Sequence, residues 1–253
     1  GISWTRRYQS TEFPGPIGQC FTLADGSRIV RIQDPARLLM FDGQDNLIAD
    51  TTAGQYPWHG SQGIGQSSNG TVMYAEYPPG KHEGAIPIAV WRCKLGQNEW
   101  EKVLEVMAAE KPPLGEVRHF HVCTPSAVNP SLWLLASGDI TSHNRLWLSD
   151  DDGDHWREII VNESPSPRIN PKDRQRILRF TSFVTTSDGS FVWGTDDNLG
   201  VGTSALVKMS LKDGEANFRI VDWLGPNFTR NIVSLGEDLI MTVSESKNDL
   251  RHV

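Results

Sequence analysis

The chain has 253 residues, 38% hydrophobic and 22% charged, a balance that suits a folded globular protein and is read here as one domain over 1–253. Its net charge of -7 gives no basic footprint for a nucleic-acid duplex, although a local basic pocket on an acidic protein still suits a polyanionic ligand. No run approaches the ~20 apolar residues that span a bilayer.

A signal peptide is not read at Gly1, and a secreted or periplasmic location is the expectation; the sequons at Asn69, Asn162 and Asn227 would matter only in a secreted eukaryotic protein. Cys20, Cys93 and Cys123 lack metal-site spacing and are read as buried free thiols.

In chain order, five segments share one grammar of apolar run, tight turn and second apolar run. They are Ile17 to Ile32 turning at Asp25-Gly26, Gly63 to Tyr77 at Asn69-Gly70, His119 to Asp139 near Asn129-Pro130, Phe180 to Asp196 at Asp188-Gly189, and Asn231 to Glu245 near Gly236-Glu237. Asn-Gly and Asp-Gly between strand-like runs are strong hairpin signals. A second pair of runs follows each of the first four: Arg37 to Phe41 with Asn46 to Asp50, Ile88 to Arg92 with Glu99 to Val106, Arg145 to Ser149 with Trp156 to Val161, and Ala205 to Met209 with Phe218 to Trp223. Repeated four-stranded units predict an all-β propeller. Four units are complete. The fifth is incomplete or is closed by an N-terminal strand from Ile2 to Gln9.

In such a unit the start of the first strand lies beside the end of the second, at one mouth of the central channel. Strand starts carry His59, Arg118, His119, Arg179 and Arg230, and strand ends carry Glu76, Asp139, Asp196 and Glu245. These charges form structural ion pairs, or they form a site for an acidic sugar, where Arg grips a carboxylate. The i, i+2 spacing of His119 and His121 puts both imidazoles on one strand face. With Glu76 or Asp139 they are a candidate ligand set for a divalent metal, or a base and neutraliser for β-elimination; alternatively one His bonds within its blade. Tyr77 should point away from Glu76. Trp58 stacks on a sugar ring or seals a gap between blades. His82 and Glu83 lie in a Pro/Gly-rich loop able to cover the mouth.

The third unit contains Ser149, Asp151, Gly153 and Trp156 in S-x-D-x-G-x-x-W spacing, an Asp-box turn in which Asp151 accepts turn amides, Gly153 takes a positive φ and Trp156 packs beneath. Degenerate copies run from Cys93 to Trp100 and from Ser210 to Phe218. Together with Gly70 to Pro78, Arg118 to Val122, Ser137-Gly138-Asp139 and Gly194-Thr195-Asp196, this turn resembles the BNR-repeat, sialidase-like propeller family over roughly residues 60 to 200. The resemblance implies carbohydrate as ligand and a structural role for the Asp box. Sialidases hold the substrate carboxylate with three Arg; Arg118, Arg179 and Arg230 resemble that triad, but Arg168-Ile169 is followed by Asn170 where the family has Pro. The resulting expectation is a carbohydrate-active protein, a glycoside hydrolase or polysaccharide lyase acting on an acidic glycan at the channel mouth. The alternative is a non-catalytic propeller that binds glycan or protein.

Overall fold

The computed structural model describes residues 17–244 apart from 34–35, 79–83, 95, 98, 111–113, 140, 196–202, 226–227 and 236–237. The expected closing strand Ile2 to Gln9, the loop residues His82 and Glu83, the turn Gly236-Glu237, and Asp196 and Glu245 lie outside the described residues.

Four four-stranded antiparallel meanders follow one another, with strands paired in sequence order. The first is β1 (Ile17–Thr22), β2 (Arg28–Ile32), β3 (Arg37–Phe41) and β4 (Leu47–Thr51). The second is β5 (Ile64–Gln66), β6 (Val72–Ala75), β7 (Ala85–Cys93) and β8 (Glu101–Ala109). The third is β9 (Phe120–Pro125), β10 (Trp133–Ser137), β11 (Leu146–Ser149) and β12 (Arg157–Ile159). The fourth is β13 (Phe180–Thr185), β14 (Phe191–Thr195), β15 (Ser204–Lys212) and β16 (Glu215–Gly225), and the hairpin β17 (Phe228–Leu235) and β18 (Asp238–Ser244) ends the series. Gly26, Gly70 and Gly189 hold φ of 85°, 89° and 80° at the predicted turns, a conformation open to glycine without steric cost. A 3-10 turn at Pro171–Leu178, which the repeat pattern does not foretell, leads into β13. Among the described residues no helix is long and apolar enough to cross a membrane.

Side-chain alternation explains why the sheets stack. In β10, Trp133 and Leu135 pack with Met73, Ile88 and Val90 of the second sheet, while Leu134 and Ala136 pack with Phe191, Trp193 and Val207 of the fourth. Both faces are covered, so the strand reads as an unbroken apolar run. The same sharing joins the first and second sheets through Ile29, Met40, Val72 and Tyr74, and the fourth sheet to the last hairpin through Val192, Leu206 and Ile232. Neighbouring sheets are also linked near their first strands: the Cys123 amide of β9 donates to the Gln62 carbonyl just before β5 at 2.8 Å, and the Thr181 and Thr229 hydroxyls lie 2.9 Å apart.

Each first strand breaks its ladder near the same end. Gly18 in β1, His121 in β9, Thr181 in β13 and Arg230 in β17 are skipped by the pairing register, as one-residue bulges are. In the second sheet a wider excursion, His59 to Gly63, separates the Trp58–Glu76 bridge from β5, and the Gly63 amide closes it on the His59 carbonyl at 2.8 Å.

At the opposite end of the third sheet, the Asp151 carboxylate accepts from the His155 amide at 2.9 Å and the Ser149 hydroxyl at 2.9 Å, and its other oxygen lies 2.6 Å from the His155 ring. The Gly153 amide donates to Ser149 Oγ at 2.7 Å, and Gly153 has φ 91°. Trp156 packs at the edge of the core between sheets two and three. Asp152 fastens this turn to the second sheet by accepting from Thr71 Oγ1 at 2.7 Å, while buried Arg92 donates to Asp154 at 2.6 Å and to the Asp152 carbonyl. The His155 amide and ring hold the Asp151 carboxyl down to about 2. An Asp depressed in the fold contributes stability above its ordinary range and loses it on acidification. Stability should therefore fall between about pH 4 and about pH 2, and Asp151→Asn should flatten that limb in urea-unfolding curves.

One cysteine departs from the sequence reading. Cys93 and Cys123 are buried, but Cys20 is exposed, because alternate residues of β1 face outward beside the bulge.

Candidate functional site

Where β9 begins and β10 ends, Arg118, His119, His121 and Asp139 come together. The loop after β10 is shaped for this. Ser137 is fully buried; its hydroxyl donates to the His143 carbonyl at 2.6 Å and accepts from the Arg145 amide. A Cβ on Gly138 would stand 3.1 Å from the His121 ring. Asp139 then adopts φ 80°, a left-handed conformation that Asp reaches more readily than most residues, and its carboxylate meets β9. Oδ2 lies 2.6 Å from Arg118 and 2.8 Å from His119 Nε2, and Oδ1 lies 3.3 Å from His121 Nε2. The other side of the Arg118 guanidinium faces Glu110 at 3.3 Å. His121 is the skipped residue of β9, so its carbonyl is outside the ladder and meets His59 Nδ1 at 3.3 Å. The Nδ1 of His121 in turn lies 3.1 Å from the Phe180 carbonyl.

The rings form a stack. Tyr77 lies 4.0 Å from His119 and 4.8 Å from His59, and His121 lies 5.0 Å from His59 and 4.9 Å from His119, all between centroids. His119 and His121 are only 4% and 6% exposed, whereas His59, Tyr77 and Arg118 are of intermediate burial. Burial, reinforced by the neighbouring His121, pushes the His59 imidazole down to about 4. Burial also lowers His119, against the pull of Asp139, and raises the Tyr77 phenol. For Asp139, burial pushes upward, but the His119 and His121 contacts prevail and hold its carboxyl well below the usual carboxylate range.

Three expectations are corrected. Glu76 is not in the site: its carboxylate accepts from the Gln55, Tyr56 and Ala89 amides and is 3% exposed. Tyr77, on the other side of the strand as alternation requires, is the residue that enters the site. Trp58 is 2% exposed and offers no face to a sugar; the Gln19 side chain grips its amide at 3.1 Å and its carbonyl at 2.6 Å, tying the first sheet to the second. Arg118 does not stand free to grip a carboxylate, since it already faces Asp139 and Glu110. Glu110 carries no repeat signal, because it follows β8, away from the hairpin ends. Arg179 precedes Phe180 at the end of the 3-10 turn, and Arg230 is the skipped residue of β17.

No family model matches the sequence, and no curated protein matches it. Solved structures do. The GH74 xyloglucanase from Xanthomonas campestris superposes with TM-score 0.50 at 15% identity, over 90% of this chain and 34% of that one. A prolyl endopeptidase gives 0.55 at 13%, over 90% and 31%, and YCF48 bound to D1 peptide gives 0.54 at 14%, over 95% and 66%. The chain thus spans about a third of the first two and under two thirds of the third. At such identities the likeness shows fold alone. These neighbours are β-propellers, and the successive meanders described above make this chain a β-propeller protein as well.

Proposed function

We propose that the protein acts on an acidic glycan at the mouth bounded by His59, Tyr77 and Arg118, as a lyase of uronate-containing chains. The observation that carries this reading is the partly buried pair of His59 and Tyr77, stacked at 4.8 Å. At neutral pH the imidazole is unprotonated and the phenol protonated, an acid and a base side by side. In β-elimination the base removes the proton α to the uronate carboxyl. The electron pair becomes a carbon–carbon double bond as the glycosidic carbon–oxygen bond breaks, and the departing oxygen takes a proton from the acid. His59 suits the first role and Tyr77 the second. Asp139, ionised and tied to Arg118, suits neither role of a two-carboxylate hydrolase. The likeness to a xyloglucanase fits a glycan-related propeller. The complete meanders and final hairpin are read as five blades, in keeping with the resemblance to sialidase-like repeats.

The test is incubation with uronate-rich and sialylated glycans, followed by unsaturated-uronate absorbance and new reducing ends. Tyr77→Phe should lower turnover by about 10²–10⁴-fold while glycan binding persists. Binding without either product would replace the lyase by a glycan-binding propeller, and absence of both would remove the glycan.

A further inference from the structure

Behind the rim lies a group that the acid–base pair leaves unused. The Phe180 carbonyl can only accept, so Nδ1 of His121, 3.1 Å away, carries the ring proton. The other ring nitrogen, Nε2, faces Asp139 Oδ1 at 3.3 Å. His119 Nε2 is within 2.8 Å of Oδ2, yet neither Nε2 makes a hydrogen bond of acceptable geometry. Both imidazoles are more than nine-tenths buried. Two buried ring nitrogens without hydrogen bonds, both aimed at one carboxylate, are a donor set for a cation.

We infer that His119 Nε2, His121 Nε2 and an Asp139 carboxylate oxygen hold a divalent transition-metal ion, with zinc the match to the donor set. The three ligand atoms lie within 4.8 Å of one another, so small side-chain adjustments bring them to the ~2.0–2.2 Å bonds that zinc makes with imidazole and carboxylate. Two nitrogens and an oxygen suit zinc and disfavour calcium, which takes six to eight oxygens. The outer groups fit as well. Metal-bound His commonly donates its other ring N–H to a carbonyl, as His121 does to Phe180, and Arg118 orients the carboxylate from behind. Three protein ligands leave a coordination position for water or a ligand oxygen. Such an ion would supply the positive charge that Arg118, engaged by Glu110 and Asp139, does not offer an acidic sugar. That last link rests on the glycan reading; the metal site does not.

Zinc alone, without glycan, is the probe. The full chain is stripped with chelator and titrated calorimetrically, with thermal unfolding before and after. One Zn²⁺ should bind per chain and raise the unfolding midpoint. His121→Gln and Asp139→Asn should each weaken binding by at least about 100-fold, and Arg118→Gln by about 10–100-fold. Asn suits the left-handed backbone at 139, and metal-free unfolding curves show whether each variant folds. His155→Gln, at an exposed imidazole away from the cluster, should leave zinc binding unchanged. Cobalt substitution should give visible ligand-field bands that vanish in His121→Gln. Failure of the folded wild-type chain to take up stoichiometric zinc, preference for calcium, or undiminished uptake in both ligand variants would overturn the site. Glycan binding would be unaffected by that failure, and loss of glycan binding would leave the zinc titration standing.

Discussion

Glu76→Ala is expected to cost about 3–5 kcal/mol, lowering the unfolding midpoint by roughly 6–20 °C. The reason is the number of groups that depend on one carboxylate. Its oxygens accept from the Gln55 and Tyr56 amides on one side and from Ala89 of β7, at 2.7 Å, on the other. Burial raises the Glu76 carboxyl, and these amides pull it back. Arg31, 1% exposed, lies in its field and donates to the Ala53 carbonyl, which also takes the Tyr74 hydroxyl at 3.1 Å. Truncation leaves three amides without their acceptor and a buried guanidinium without its carboxylate, and the cost is greatest at the buried Ala89 amide. Glu76→Gln keeps the shape but turns one acceptor into a donor, so it should lose part of this amount. Chemical denaturation measures both variants; a loss under about 1 kcal/mol for the alanine would show that the cluster is solvated.

Gly194→Ala is the second large effect. Gly194 lies in β14, and an added Cβ would stand 1.7 Å from Thr229 Oγ1 and 2.7 Å from Thr229 Cβ. Thr229 is fully buried, and its hydroxyl also engages Thr181 and Ser182. Relief requires the last hairpin to move away from the fourth sheet, at the expense of the contact among Val192, Leu206 and Ile232. Overpacking of this kind costs about 1–3 kcal/mol. Thr229→Ala would relieve only part of it, because the Thr229 Cβ, 2.7 Å away, remains. Gly194→Ala with Thr229→Gly should recover part of the loss, and a double-mutant cycle should give a coupling of about 0.5–3 kcal/mol. A coupling near zero would mean that these sheets do not meet at this point.

The hairpins were legible because turn chemistry is local. Asp25-Gly26, Asn69-Gly70 and Asp188-Gly189 announce positive-φ turns wherever they fall. The union of His119, His121 and Asp139 was legible too, since hairpin pairing alone puts a strand's start beside its partner's end. What escaped depended on contacts between sheets. Glu76 sits at a strand end like Asp139, but the segment before β5 folds over it and supplies amides, so the same residue class serves structure in one sheet and the site in the next. Tyr77 was correctly placed opposite Glu76, and the error lay in which side faced the mouth. Glu110 reaches Arg118 from the neighbouring sheet, a relation that no spacing within one unit encodes.

The recurrent bulge makes Gly18, His121, Thr181 and Arg230 occupants of one kind of socket. A residue in that socket is released from pairing duty, so its side chain can be turned to a contact outside the sheet while the ladder on either side stays intact, as His121 and Thr181 are. The scaffold thereby separates the letters that spell chemistry from those that spell architecture, and new reactivity can be written into a blade without rebuilding it.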